Sequence, residues 1–364
     1  MELPKETPHA LRARVLSFAC MAACLGLGTA LVIWSPLAQQ GAREGLVLCG
    51  QVIIPSMYPF FVLAGLFVRL HARRPQRHSP LLWAVLRQPP AALGAIVLGC
   101  LGGYPMGAKT AAQLLEQGCL TRQQAQRLQL FCVNAGPAYL IGAVGTAMIG
   151  SRRAGILLFV SMLAAGLLLG VLTRALAGEE HALRPQEPAG ASRTPFDQLL
   201  LLAVRQATGA MLGVCAWIVL FATLCALLRL LPTGLWGTIP LLNVFFEVSS
   251  GTAAVTRAQL PLPVLCAALG WGGLGVHCQI LGDLRKTGMP LRLFWVSRLL
   301  HGALAAAICV QLLRWFPVAA STMAGPGAGA ATVRLWAVSG PAAAAVLFFC
   351  AFLILDLDLN RKMC

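Results

Sequence analysis

The sequence predicts an all-α, polytopic membrane protein with 8–10 transmembrane segments, built as two inverted repeats with re-entrant hairpins and discontinuous helices. Three observations predict it. Hydrophobic residues make up 58% of the 364 and charged residues 11%, where a soluble domain carries about 25% charged residues. Apolar runs long enough to cross roughly 30 Å of hydrocarbon recur along the whole chain. A glycine-broken apolar run occurs twice, a mark of the binding site in transporters built from repeats.

Ten apolar segments can be drawn, at 15–38, 46–68, 91–108, 131–149, 154–173, 208–231, 240–256, 262–282, 294–315 and 333–355. The first follows Lys5, Arg12 and Arg14 and reads as a retained signal anchor. Residues 69–90 form a basic loop, and 317–331 form an uncharged, glycine-rich one. Residues 174–198 are mixed in charge and rich in Pro and Ala, as a flexible linker is. They divide a first repeat half, 1–173, from a second, 199–364. Five segments on each side make the halves inverted if all of them cross. Segments 46–68 and 240–256 are the exceptions to weigh. Pro55 and Pro59 in one, and Ser249-Ser250-Gly251 in the other, favour hairpins, whereas the arginine-dense loop after the first favours a full crossing.

The repeated break is Gly102-Gly103-Tyr104-Pro105-Met106-Gly107-Ala108-Lys109 and Gly272-Gly273-Leu274-Gly275-Val276-His277-Cys278-Gln279. Leu114 and Gly118 follow the first at the offsets at which Leu284 and Gly288 follow the second, giving four identities in seventeen positions. Between 110 and 130 leucines mix with glutamines and arginines. This predicts a helix–turn–helix broken at Gly118, with Thr121 capping a helix that starts at Arg122.

Several polar groups in these segments are candidates for chemistry. Glu247 lies well inside an apolar segment, where a carboxylate costs roughly 2.5–3.5 kcal/mol on insertion scales. It is either a solute or proton site or the partner of Arg257 or Arg298. Lys109 either snorkels to the interface or binds an anion beside unwound backbone. His277 makes either a helix–helix hydrogen bond or a proton or carboxylate site. Asn134 opens Asn-Ala-Gly-Pro, and its amide either starts a helix or meets a ligand. Ser56 and Tyr58 sit between the two prolines of 46–68. With Gly102, Gly103, Tyr104, Ser249, Ser250, Gly272, Gly273 and Gln279 at the breaks, these make up the expected substrate site.

The composition also excludes function classes. The net charge of +16 is carried in loops between apolar spans, which suits topology and lipid headgroups rather than nucleic acid. Thirteen cysteines are scattered singly, without metal-ligand spacing, and read as reduced packing residues. No metal or cofactor is expected. There is no Walker loop, His-Glu-x-x-His or Gly-x-Ser-x-Gly elbow, so no enzyme is expected. A proton or Na+ gradient, or the solute gradient itself, would supply the energy, and an oligomer is compatible with the sequence.

The blocks Gly102–Lys109, Gly118, Phe131–Pro137, Glu247–Gly251 and Gly272–Gln279 resemble the YlbJ family of sporulation integral membrane proteins. The resemblance implies a nucleoside-recognition, or Gate, domain similar to the core of concentrative nucleoside transporters. Carried over, it implies hairpin tips at Pro55–Pro59 and Glu247–Gly251, and broken helices at Gly102–Lys109 and Gly272–Gln279. Glu247 would match an acidic hairpin residue that contacts ribose. Pro-Ser-Met-Tyr-Pro stands where the nucleoside transporters carry a polar cluster. The family role implies export of dipicolinate, a small organic anion, from mother cell toward forespore, across the cell membrane or the outer forespore membrane. Lys109, His277 and two helix N-termini would hold its carboxylates. A nucleoside transporter and a non-transporting scaffold for spore-envelope assembly are the alternatives.

Overall fold

A computed structural model describes residues 8–71, 80–177, 195–228, 230 and 240–318. Every regular element among them is helical. Five helical stretches are long and apolar enough to cross a bilayer: Ser35–Phe67, Arg152–Leu176, Phe196–Leu228, Leu262–Thr287 and Leu291–Trp315. The all-α, multi-pass expectation holds. Segment 333–355, most of the linker and the tip of the basic loop lie outside the described residues.

Helices α1 (Pro8–Ile33) and α2 (Ser35–Leu48) lead through a π-helical turn, Cys49–Ile53, into α3 (Ile54–His71). Segment 46–68 is therefore not a hairpin. It belongs to one helical span, Ser35–Phe67. The proline pair is absorbed where it stands. Wider i→i+5 bonding in the turn before Pro55 accommodates a missing backbone donor, and the Ser56 hydroxyl donates to Val52 O at 2.6 Å.

The next two units differ in kind. Helix α4 (Pro80–Leu86) leads to α5 (Leu93–Leu101) and α6 (Tyr104–Glu116), which fold back on each other. A Cβ on Gly107 would lie 2.9 Å from Gly99 Cα, so only glycine allows the two arms this approach. Helix α7 (Arg122–Phe131) and a π-helical segment, Ala138–Ile149, then form a helix interrupted at 132–137, and α8 (Arg152–Leu172) follows. Thr121 caps α7 as expected, in a capping box with Gln124.

The second half repeats this order. After the long helix α9 (Phe196–Leu228) come α10 (Pro240–Phe246) and α11 (Val248–Arg257), a hairpin turning at Glu247. Here a Cβ on Gly251 would lie 2.3 Å from Val244 Cα. Helices α12 (Leu262–Trp271) and α13 (Gly273–Thr287) form an interrupted helix, and α14 (Leu291–Trp315) closes the set. Each half thus reads long helix, hairpin, broken helix, long helix.

This order corrects the pairing drawn from the glycine repeat. The break at Gly102–Gly103 is a hairpin tip and corresponds to Glu247. The partner of the Gly272 break is the interruption at 132–137. The matched leucines and glycines have another cause. Both α6 and α13 end in the same glycine cap, with Cys119 N–H bonded to Leu114 O at 2.9 Å and Met289 N–H to Leu284 O at 2.9 Å. Equal spacing from glycine pair to capping glycine and an equal ending produced the resemblance.

The corresponding long helices α3 and α9 pack side by side and run in opposite directions. Cys49 meets Cys215, Tyr58 meets Thr208, and Arg69 donates to Gln206 at 2.8 Å. Equivalent elements running antiparallel make the second half inverted relative to the first.

A Cβ on Gly65 would stand 3.8 Å from Ala203 Cβ, within disulfide reach. Oxidising a G65C/A203C double variant should give a 65–203 crosslinked peptide by mass spectrometry. A set of crosslinks pairing residue 65 with positions near 222 instead would contradict the antiparallel packing.

Candidate functional site

Residues at or just beyond all four breaks line one small cavity, part of it open to the surroundings. Ile53 and Met57 line it from α3, and Val214, Trp217 and Ile218 line it from α9. The first hairpin contributes Tyr104 and Pro105, and the second Glu247, Val248 and Ser249. Tyr139 comes from the first broken helix, and Gly275, Val276 and Gln279 come from the second. The walls are aromatic and aliphatic, with a few polar groups, as small-molecule sites commonly are.

Glycine geometry builds the tips. Gly103 has φ 88° and ψ −174°, a conformation open to glycine and little else, and it lets α6 start at a sharp angle to α5. Each tip is seated on the break of its own half. A Cβ on Gly136 would lie 2.7 Å from Leu101 O, and one on Gly273 would lie 2.9 Å from Val248 N. Across the halves, the Tyr104 hydroxyl donates to Leu269 O at 2.7 Å and the Tyr139 hydroxyl to Val248 O at 3.3 Å. Each hairpin tip therefore touches the broken helix of the other half.

The helix starts at the cavity differ in how they are capped. Glu247 is 3% exposed and caps α11, with Oε1 accepting from Ser249 N–H at 2.8 Å and Oε2 from Ser250 N–H at 2.5 Å. It is paired with neither candidate arginine. Arg257 is exposed, and the Arg298 guanidinium bonds Val133 O and Leu130 O. No side chain caps α6, α13 or the π-helical segment. Four helix N-termini thus meet at the cavity, three of them without a side-chain cap, and their partial positive charges point toward it.

The structure brings Tyr104, Glu247, Ser249 and Gln279 of the expected residues together on the cavity wall. Gly102, Gly103, Gly272 and Gly273 form the breaks, and Ser250 donates its amide to Glu247. The others serve elsewhere. Lys109 lies on α6 and is absent from the lining. His277 packs edge-on to Trp271 with centroids 4.4 Å apart, and its Nε2 lies 2.8 Å from Trp271 O, so it ties the broken helix to itself. Asn134 donates to Phe131 O at 2.7 Å, closing the end of α7. Tyr58 bonds Thr208 at 3.1 Å and Ser56 bonds its own helix. Trp217, Tyr139, Ile53 and Met57 were missed, because nothing local separates them from packing residues. They become wall residues only once α3 and α9 are placed against the breaks.

Over 335 residues the chain is 28% identical to the sporulation integral membrane protein YlbJ of Bacillus subtilis (strain 168), covering 80% of this chain and 81% of that protein. The chain is a relative of YlbJ. The likeness to YlbJ spans both halves rather than the quoted blocks alone, and it agrees with a multi-pass membrane protein. No family model matches the chain, and no solved structure matches it.

Glu247→Ala should lower the melting temperature of the purified protein, with a cap loss of about 0.5–2 kcal/mol. Glu247→Gln, which keeps one acceptor, should fall between. A higher melting temperature for Glu247→Ala would mean that the carboxylate is a strained charge rather than a cap.

Proposed function

We propose that the chain is a secondary transporter of a small organic anion, and that dipicolinate, moved unchanged from mother cell toward forespore during sporulation, is its solute. The observation that carries this is the convergence of four helix N-termini on one aromatic-walled cavity between two inverted halves. Helix N-termini bind anions through backbone N–H groups and the macrodipole, so carboxylates need no lysine here. A flat aromatic ring suits walls of Trp217, Tyr104 and Tyr139. Glu247 does not oppose such a solute at full strength, because both its oxygens already accept amides of α11. The sporulation name of YlbJ supports the setting. Movement of one half against the other about the cavity would alternate access.

One observation favours a second solute. Glu247 lines the cavity at a hairpin tip, where the family resemblance places a carboxylate that contacts ribose. Competition between uridine and dipicolinate for binding separates the two.

Vesicles containing the protein should take up labelled dipicolinate. Ser249→Ala and Gln279→Ala should each slow uptake about tenfold, the effect of losing one hydrogen bond to a charged group. Lys109→Ala should leave uptake unchanged. Wild-type rates for both cavity variants, or uptake displaced by uridine alone, would contradict the assignment.

A further inference from the structure

A helix interrupted inside a membrane exposes the carbonyls of its first part, and in many transporters such carbonyls hold the coupling cation. In this chain, donors within the protein occupy the C-terminal end of α7. Cys132 N–H bonds Leu128 O at 2.8 Å, Asn134 Nδ2 bonds Phe131 O at 2.7 Å, and the Arg298 guanidinium bonds both Leu130 O and Val133 O. Arg298 is 1% exposed. It comes from α14, 165 residues from Val133 in the sequence, and lies 5.5 Å over the Phe294 ring. No ion pair joins it to a carboxylate among the described residues. Its charge is met by backbone carbonyls at a helix C-terminus, where a cation is favoured.

The matching end of α12 is treated differently. There Leu269 O accepts from the Tyr104 hydroxyl, and Trp271 O is met by the His277 ring. Those partners are neutral groups or a titratable one. A fixed positive charge is placed at one break of the pair only.

We propose that Arg298 is a tethered cation that takes the place of a coupling Na+ at the first helix break, so that this break is closed to metal ions and contributes no Na+ dependence. Arg298 is a positioning residue: it holds the interruption open at the geometry the cavity needs without touching the solute. This inference rests on the transporter reading for its meaning. Its test reads ion binding directly and does not depend on which solute is carried, so the two can fail separately.

The test is thermal unfolding of the purified full-length protein in lipid nanodiscs, in chloride salts of Na+, K+ and choline at equal ionic strength. The wild type should melt at the same temperature in all three. Arg298→Ala should melt lower in choline, by at least about 4 °C, and low-millimolar guanidinium should restore part of the loss. Arg298→Lys, which keeps one donor charge, should fall between. A wild type stabilised by Na+ over choline, with the effect unchanged in Arg298→Lys, would overturn the proposal. So would a folded Arg298→Ala that guanidinium does not rescue. If Arg298→Ala does not fold, the wild-type comparison and Arg298→Lys decide it alone.

Discussion

Inside a bilayer no water is present to satisfy an exposed N–H or C=O, so every interruption of a helix must be closed by the protein itself. This structure interrupts helices at four places and closes the ends facing one another with different groups. The carbonyl ends are tied off by side chains: Arg298 and Asn134 at the first broken helix, Tyr104 and His277 at the second. At the amide ends, Glu247 caps α11, and no side chain caps the other three starts. The remaining features follow from that division. Glycine is used where backbones must nearly touch, and the two long antiparallel helices wall off what the breaks enclose.

The inverted order explains why the polar groups are unequal. Each hairpin tip rests on its own half's break and hydrogen-bonds to, or accepts from, the other half's broken helix. The backbone scheme is shared, and the side chains upon it are not. One break carries a buried guanidinium and the other an imidazole packed edge-on to Trp271 and Phe294 and stacked on Trp295. One tip is capped by a carboxylate and the other begins with glycine. The two sides of one cavity therefore differ in their polar groups while sharing one backbone scheme.

Much of this was legible in the sequence, and the failures have physical causes. In the second half the breaks carry visible polarity, a carboxylate at Glu247 and adjacent glycines at Gly272–Gly273, although the sequence of 240–256 reads equally as a hairpin or a span. Thr121 announced its capping box through Gln124 at the required spacing. The first half is less legible. The proline pair leaves hairpin and full crossing open, and only the family resemblance implies a tip there; a π-helical turn and the Ser56 hydroxyl let one span contain both prolines. The matched glycines at 118 and 288 were taken as repeat equivalence, although they mark the same helix ending on non-equivalent helices. Lys109 drew attention as a charge beside a break, but one helical turn moves it off the wall. Arg298 was weighed only as a partner for Glu247. Its actual partners are backbone carbonyls, which no sequence pattern displays.

The account stands on the claim that the four breaks enclose a solute site. The most direct measurement is a density map of the full-length protein with dipicolinate added. Density for a flat dianion is predicted between Trp217 and the starts of α6 and α13, with its carboxylates on backbone N–H groups. Ligand density elsewhere, with the cavity filled by lipid in its presence and absence alike, would contradict the account.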